Sequence, residues 1–161
     1  MGGLVKKLIL CLIFLFPLNV FAESTVFKGK VVSVIDGDTI GVFDGQNEKR
    51  IRLSGVDCPE KKQAFGQAAK QYASDLAYGQ EVTVNISGHD RYQRNIGLVA
   101  LPSGKILNDE LLKAGMCWNY VQYSKSIAYQ RMEAKARESK LGLWSESNPT
   151  PPWLFRKDKG R

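Results

Sequence analysis

Histidine is nearly absent: His89 is the single one among 161 residues. Histidine-built zinc sites and histidine general-base triads are therefore poorly supplied. Cysteine is scarce as well, with three in the chain, and one of them, Cys11, sits in an apolar N-terminal run. The remaining two, Cys58 and Cys117, cannot build a structural zinc cage without help. The chain has no glycine-rich loop of phosphate-cradling spacing and no internal repeat. Its N-terminal apolar run, from Leu8 to Phe16, falls short of the roughly 20 residues that span a bilayer.

What the N-terminus does contain is Lys6 and Lys7, that apolar run, and then "PLNVFA", with small Ala22 ahead of Glu23. This is the pattern of a secretory signal peptide over residues 1–22, cleaved after Ala22; an uncleaved anchor is the alternative. Cys11 follows Leu10, where a lipoprotein signal wants a small residue, which argues against lipidation. Loss of Lys6 and Lys7 lowers the formal charge from +7 to +5. A positive excess suits an anionic partner, although it also serves plain solubility. Cys58 and Cys117 would enter an oxidising space, where a disulfide is open to them. Closing that long loop stabilises a fold by about 4 kcal/mol on the chain-entropy model. Two small buried thiols are the equally ordinary reading.

Along residues 23–161 the stretch "TVFKGKVVSVIDGDTIGVF" alternates loosely and is rich in Val, Ile and Phe, which predicts strands. "DGQN" after Phe43 is a turn, and "KRIRLSGV" a returning strand. The hairpin brings Asp38 within a residue pair or two of Arg52, with Asp57 just beyond. Helical spacing of Phe65, Ala69, Tyr72 and Leu76 follows, ending at Gly79. "EVTVNI" and "NIGLVAL" read as two more strands. "NDELLKAG" reads as a short helix capped by Asn108 and closed by Gly115. A last helix spans about Ser126 to Leu141, with Ile127, Arg131, Ala134 and Leu141 on one stripe. The domain expected over 23–147 is thus a small α+β barrel. The proline-rich, basic tail 148–161 should lie over the surface, pinned by Trp153, with its last residues disordered.

Carboxylates and arginines near turns remain as chemistry: Asp36, Asp38, Arg52, Asp57, Glu60, Arg91 and Arg94. Asp38 and Asp57, with backbone carbonyls and water, form an all-oxygen set suited to a hard cation, and Ca²⁺ tolerates irregular geometry better than Mg²⁺. Alternatively, Asp36 and Asp38 merely flank a tight turn at Gly37. Planar guanidinium groups beside such a site match two phosphate oxygens at once. Singly, each arginine is as well read as a surface ion-pair partner.

Taken together, "VIDGDTI", "IRLSGVDCPE", "FGQAAKQYA", "DRYQRNIG" and "KLGLW" resemble the staphylococcal nuclease (thermonuclease) family in order and spacing, from about Thr25 to Trp144. The tail "PPWLFRK" also looks like tails of bacterial members. The resemblance implies an SNase-like OB-fold, a five-stranded β-barrel carrying three helices, and calcium-dependent hydrolysis of DNA and RNA. Asp38 and Asp57 match the calcium carboxylates, and Cys58 would lend its backbone carbonyl. Asp36 falls in the metal's outer shell. Glu60 matches the glutamate that activates or orients the attacking water. Arg52 and Arg94 match the arginines that hold the phosphate. Arg91 and Tyr92 fall where the family sets a cation and a ring against the nucleotide. Tyr120 and Tyr123 are candidates for further stacking, unless they simply pack. Gln93 stands where members usually carry glycine, which would bend the loop delivering Arg94 differently. A Cys58–Cys117 bond would tether the acid-bearing loop.

The expectation is an exported, periplasmic or secreted, monomeric endonuclease of low sequence specificity. It would favour single-stranded or locally opened DNA and RNA, leave a 3′-phosphate and touch no membrane after signal cleavage. A non-catalytic OB-fold that binds single strands is the alternative, and a structural or adhesive surface protein is a third. Retention of both aspartates, the glutamate and both arginines favours the enzyme.

Overall fold

Five strands close a barrel in the computed structural model, which describes residues 25–159; the leader expected over 1–22 lies outside the described residues. The first strand, β1 (Thr25–Asp36), is long enough to serve both barrel edges. It pairs antiparallel with β2 (Thr39–Phe43) through its second half and with β5 (Glu81–His89) through its first. Register shifts between Val31 and Ser33 and between Val34 and Asp36 bend the strand, as bulges do where a sheet curls shut. The hairpin returns through Asp44, whose carboxylate accepts the Gln46 and Asn47 amides, into β3 (Glu48–Leu53). β3 runs parallel to β6 (Asn95–Ala100), and β6 pairs antiparallel with β5, giving the order β1-β2-β3-β6-β5. Val31, Ile40, Val42, Ile51, Val84 and Val99 fill the interior without exposure. Alternation within β5 puts Val82, Val84 and Ile86 inward, the period-two pattern its sequence carries.

The helices α1 (Gly66–Ala77), α2 (Leu107–Lys113) and α3 (Ile127–Glu138) cover the barrel. On α1 the buried stripe is Gly66, Ala69, Ala73 and Ala77, with Tyr72 and Leu76 packed at its margin. A two-residue ladder of β4 (Val56–Asp57) and β7 (Trp118–Asn119) joins the acid-bearing loop to the segment beyond α2. No helix of the described residues is long and apolar enough to cross a membrane.

Three sequence expectations change. Asn108 is not the cap of α2, a position held by Ile106; it is fully buried inside the helix. Its amide donates to the Ser54 and Gly97 carbonyls and its oxygen accepts the Val99 amide. Tertiary partners there outbid the local capping preference. α3 ends at Glu138 rather than Leu141; of the expected stripe Ile127, Arg131 and Ala134 on the helix and Leu141 beyond it are exposed, and Tyr129 and Ala136 are buried. The inward face is set by contact with α2 (Tyr129 meets Asp109) and with the tryptophan cluster beside Ala136. Finally, the tail carries a fourth helix, α4 (Pro152–Lys159), begun by a proline at the position where its missing N–H costs nothing.

Candidate active site

The β1–β2 turn explains why acids interrupt a strand. The Asp38 amide donates to Asp36 Oδ1 at 3.3 Å, turning the chain. Gly37 is required by crowding: a Cβ there would lie 2.8 Å from that of Ala69 on α1 and 2.9 Å from that of Cys58. This close approach, not backbone freedom, is what fixes the glycine, and it presses Asp38 against the loop after β4. Asp38 Oδ2 accepts the Cys58 amide at 2.7 Å, and Oδ1 accepts the Thr39 hydroxyl at 3.3 Å.

Thr39 pairs with Arg52 across the β2–β3 ladder, as the hairpin predicts. The Arg52 guanidinium is fixed on every side. Nη1 donates to the carbonyls of Leu53 (2.9 Å) and Val56 (2.8 Å), while Nη2 lies 2.9 Å from Asp57 Oδ1 and 3.0 Å from Asp38 Oδ2. Both carboxylates thus converge on one nitrogen. Asp57 is 1% exposed and Asp38 6%. Burial pushes the Asp38 carboxyl up to about 7; Arg52 opposes the shift and Asp36 adds to it. Asp57 is also raised, by burial first, with Arg156 pulling it back and Asp38 pushing it further. Two desolvated carboxylates aimed at one spot repel each other and favour a cation between them.

Cys58 and Cys117 are disulfide-bonded, so the loop bearing Asp57 is tied to the residue that leads into β7. Among the described residues, no three His, Cys, Asp or Glu side chains gather to hold a metal. The donor set is two carboxylates, and its chemistry fits a hard cation completed by backbone oxygen and water better than a nitrogen- or sulfur-loving ion. In the structure it is the amide of Cys58 that meets Asp38.

Glu60 stands beyond the aspartates on a turn closed by Gln63, whose amide donates to the Glu60 carbonyl and whose Oε1 accepts the Glu60 amide. A residue that sequence reasoning missed joins it to Asp57. Arg156, on α4, donates to Glu60 Oε1 (2.7 Å), Asp57 Oδ2 (2.8 Å) and Asp57 Oδ1 (3.2 Å). The proline-rich approach reads as surface chain, and only Pro152 signals a helix start.

The structure brings Asp38, Arg52, Asp57 and Glu60 together and sets Arg94 in a different pairing. Arg94 Nε donates to Asp90 Oδ2 at 2.6 Å, and Asp90 Oδ1 accepts the amides of Tyr92 and Arg94. Gln93, at φ 61°, takes the left-handed turn that glycine would take easily. Tyr92 is 65% exposed and has the guanidinium of Arg91 at 4.8 Å and that of Arg94 at 5.6 Å from its ring centre. Tyr123 is 76% exposed. Tyr120 instead stacks on Trp153, at 5.6 Å and 8° between planes, so one of its faces is covered by the tail.

At one end of the closed five-stranded barrel stand a carboxylate pair, the arginine that bridges it and a glutamate. The sequence model of the family described as "Staphylococcal nuclease homologue" matches residues 50–146. A protein of Escherichia coli O157:H7 named "Uncharacterized endonuclease" is 39% identical over 96% of this chain and 99% of its own length. A "Micrococcal nuclease" of Shigella flexneri is 40% identical over 81% of each chain. The "Staphylococcal-like nuclease CAN1" of Arabidopsis thaliana is 39% identical over 68% of this chain and 34% of its own. The chain belongs to the staphylococcal nuclease homologue family.

Proposed function

We propose that the protein is an exported, calcium-dependent endonuclease that hydrolyses DNA and RNA with low sequence specificity. It would act as a monomer, and single-stranded or locally opened strands are its preferred substrates. The observation that carries the reading is the convergence of Asp38 and Asp57 on one Arg52 nitrogen, within 3.0 Å of both. In it, Asp38, Asp57 and the Cys58 backbone carbonyl would hold Ca²⁺, with water completing the shell and Asp36 steadying the turn. The ion, when bound, would supply charge neutralisation at the phosphodiester and polarise its phosphoryl oxygen.

The remaining work falls to side chains. Arg52, held by four oxygens, presents a preorganised positive charge to an anionic centre, the arrangement that contributes most where charge develops in a transition state. Arg94 would exchange Asp90 for a phosphate oxygen, taking the two as a fork. Glu60, at the half-exposed rim, would orient or deprotonate the attacking water for direct in-line displacement without a covalent intermediate. Arg91 with Tyr92 offers a cation beside a ring, suited to a backbone phosphate and a stacked base. Tyr123, exposed and packed against Tyr120 at 4.8 Å between ring centres, would offer a further ring for stacking.

The test is cleavage of plasmid DNA and of RNA by the purified chain lacking residues 1–22, with Ca²⁺, Mg²⁺ or chelator, beside Glu60→Gln. Cleavage should require Ca²⁺ and fall by roughly 10²-fold or more in the variant, the usual scale of general-base loss. Equal turnover in chelator would refute the metal role, and retention of nucleic acid without cutting would assign the chain to the binding-module alternative.

A further inference from the structure

Both carboxylate oxygens of Asp57 already carry guanidinium donors. Oδ1 receives Arg52 Nη2 and Arg156 Nη1, and Oδ2 receives Arg156 Nη2. The same guanidinium also takes Oε1 of Glu60, the side chain proposed to orient the water. On Asp57 Oδ2, which Arg52 leaves to Arg156, a cation would meet the Arg156 charge at close range, and the two repel.

The tail is anchored for this placement. Trp153 sits edge-on to Trp118, at 5.5 Å, and stacks on Tyr120; Trp118 is the ladder partner of Asp57 itself. The Thr150 carbonyl accepts Gln63 Nε2, from the turn that holds Glu60. Yet the anchorage is separable. The Arg156 side chain is 41% exposed. A cavity of about 220 Å³, lined in part by Pro59, Gln63, Trp118, Thr150 and Phe155, runs along the seam between tail and body. Loose packing at a seam forfeits contact energy that a core would keep.

We propose that α4 is an intramolecular plug: Arg156 takes the Asp57 oxygen that the divalent cation would use and the Glu60 carboxylate that would hold the water, and the cation must displace it to bind. The inference rests on the metal reading of the preceding section and goes beyond it, making the tail a competitive gate on metal occupancy. Charge-assisted bonds from one guanidinium to two carboxylates are strong enough for their loss to shift a competing equilibrium by about tenfold.

The experiment is calorimetric titration of Ca²⁺ into the chain lacking residues 1–22, its Arg156→Gln variant and its Trp153→Ala variant, the last of which frees the anchor without touching a carboxylate. Circular dichroism confirms folding. The chain's three tryptophans, Trp118, Trp144 and Trp153, lie in one cluster, so intrinsic fluorescence reads tail release directly. Both variants should bind Ca²⁺ about tenfold more tightly than the parent, and Ca²⁺ should shift the parent's tryptophan emission but not that of Arg156→Gln. Equal affinities in all three overturn the plug and leave the metal reading standing. Weaker binding, or lost cleavage at unchanged affinity, also overturns it and makes Arg156 a phosphate contact. No Ca²⁺ binding in any of the three removes the metal reading and the plug together.

Discussion

Asp38 is paired with Arg52 and still holds its proton far above the usual carboxylate range, because burial outweighs the ion pair. Desolvating a carboxylate costs several kcal/mol even after relaxation, and one guanidinium shared with Asp57 does not restore it. Folded protein therefore binds this proton more tightly than the unfolded chain. The stability contributed is complete below the unfolded value near 3.8 and is lost as pH rises through about 7. In chelator, urea denaturation should show stability falling by on the order of a few kcal/mol between pH 4 and pH 8 from this group. Asp38→Asn should flatten that slope, and a slope unchanged by the variant would contradict the assignment. A second residue-scale test concerns Asn108, whose three side-chain bonds tie α2 to β6 and to Ser54. Asn108→Leu removes the side-chain partner of the Val99 amide and the Ser54 carbonyl, while Gly97 O keeps the Ser54 amide, and should cost ~2–3 kcal/mol in the same assay. Its sequence context, ahead of "DELL", reads as a helix cap, since no local pattern reveals partners as far along the chain as Ser54.

At the scale of elements, the hairpin β2–β3 and the loop after β4 form one device, locked by the Cys58–Cys117 bond across a sequence separation of 59. A loop of that length implies about 4 kcal/mol of stabilisation. Reduction, or Cys58→Ala with Cys117→Ala, should lower the denaturation midpoint accordingly. It should also weaken Ca²⁺ binding, because the Cys58 amide is what pins Asp38. A midpoint unmoved by reductant would show the bond to be energetically idle. The hairpin was legible in the sequence because alternation and a strong turn predict it, placing Asp38 within a residue pair or two of Arg52. The roles of Asp57 and Glu60 came from the resemblance, since short-range patterning does not fix what a loop after the hairpin meets. The α3 face and α4 were not legible. A short helix with mixed polarity has several plausible stripes, and the prolines before Trp153 mask the helix they introduce.

The whole molecule is basic, with a formal charge of +7 over the full chain. Binding of a catalytically silent Glu60→Gln chain to single-stranded DNA should weaken linearly on logarithmic salt axes. Arg91→Ala should reduce that slope by about one if Arg91 meets a phosphate; an unchanged slope would leave it a surface partner of Tyr92. The barrel itself could serve binding or catalysis alike, so the decision lies with its acids. The most direct measurement is calorimetric titration of Ca²⁺ into the chain and into Asp57→Asn. One bound ion in the former and none in the latter is the predicted result, and equal binding by both would contradict the account.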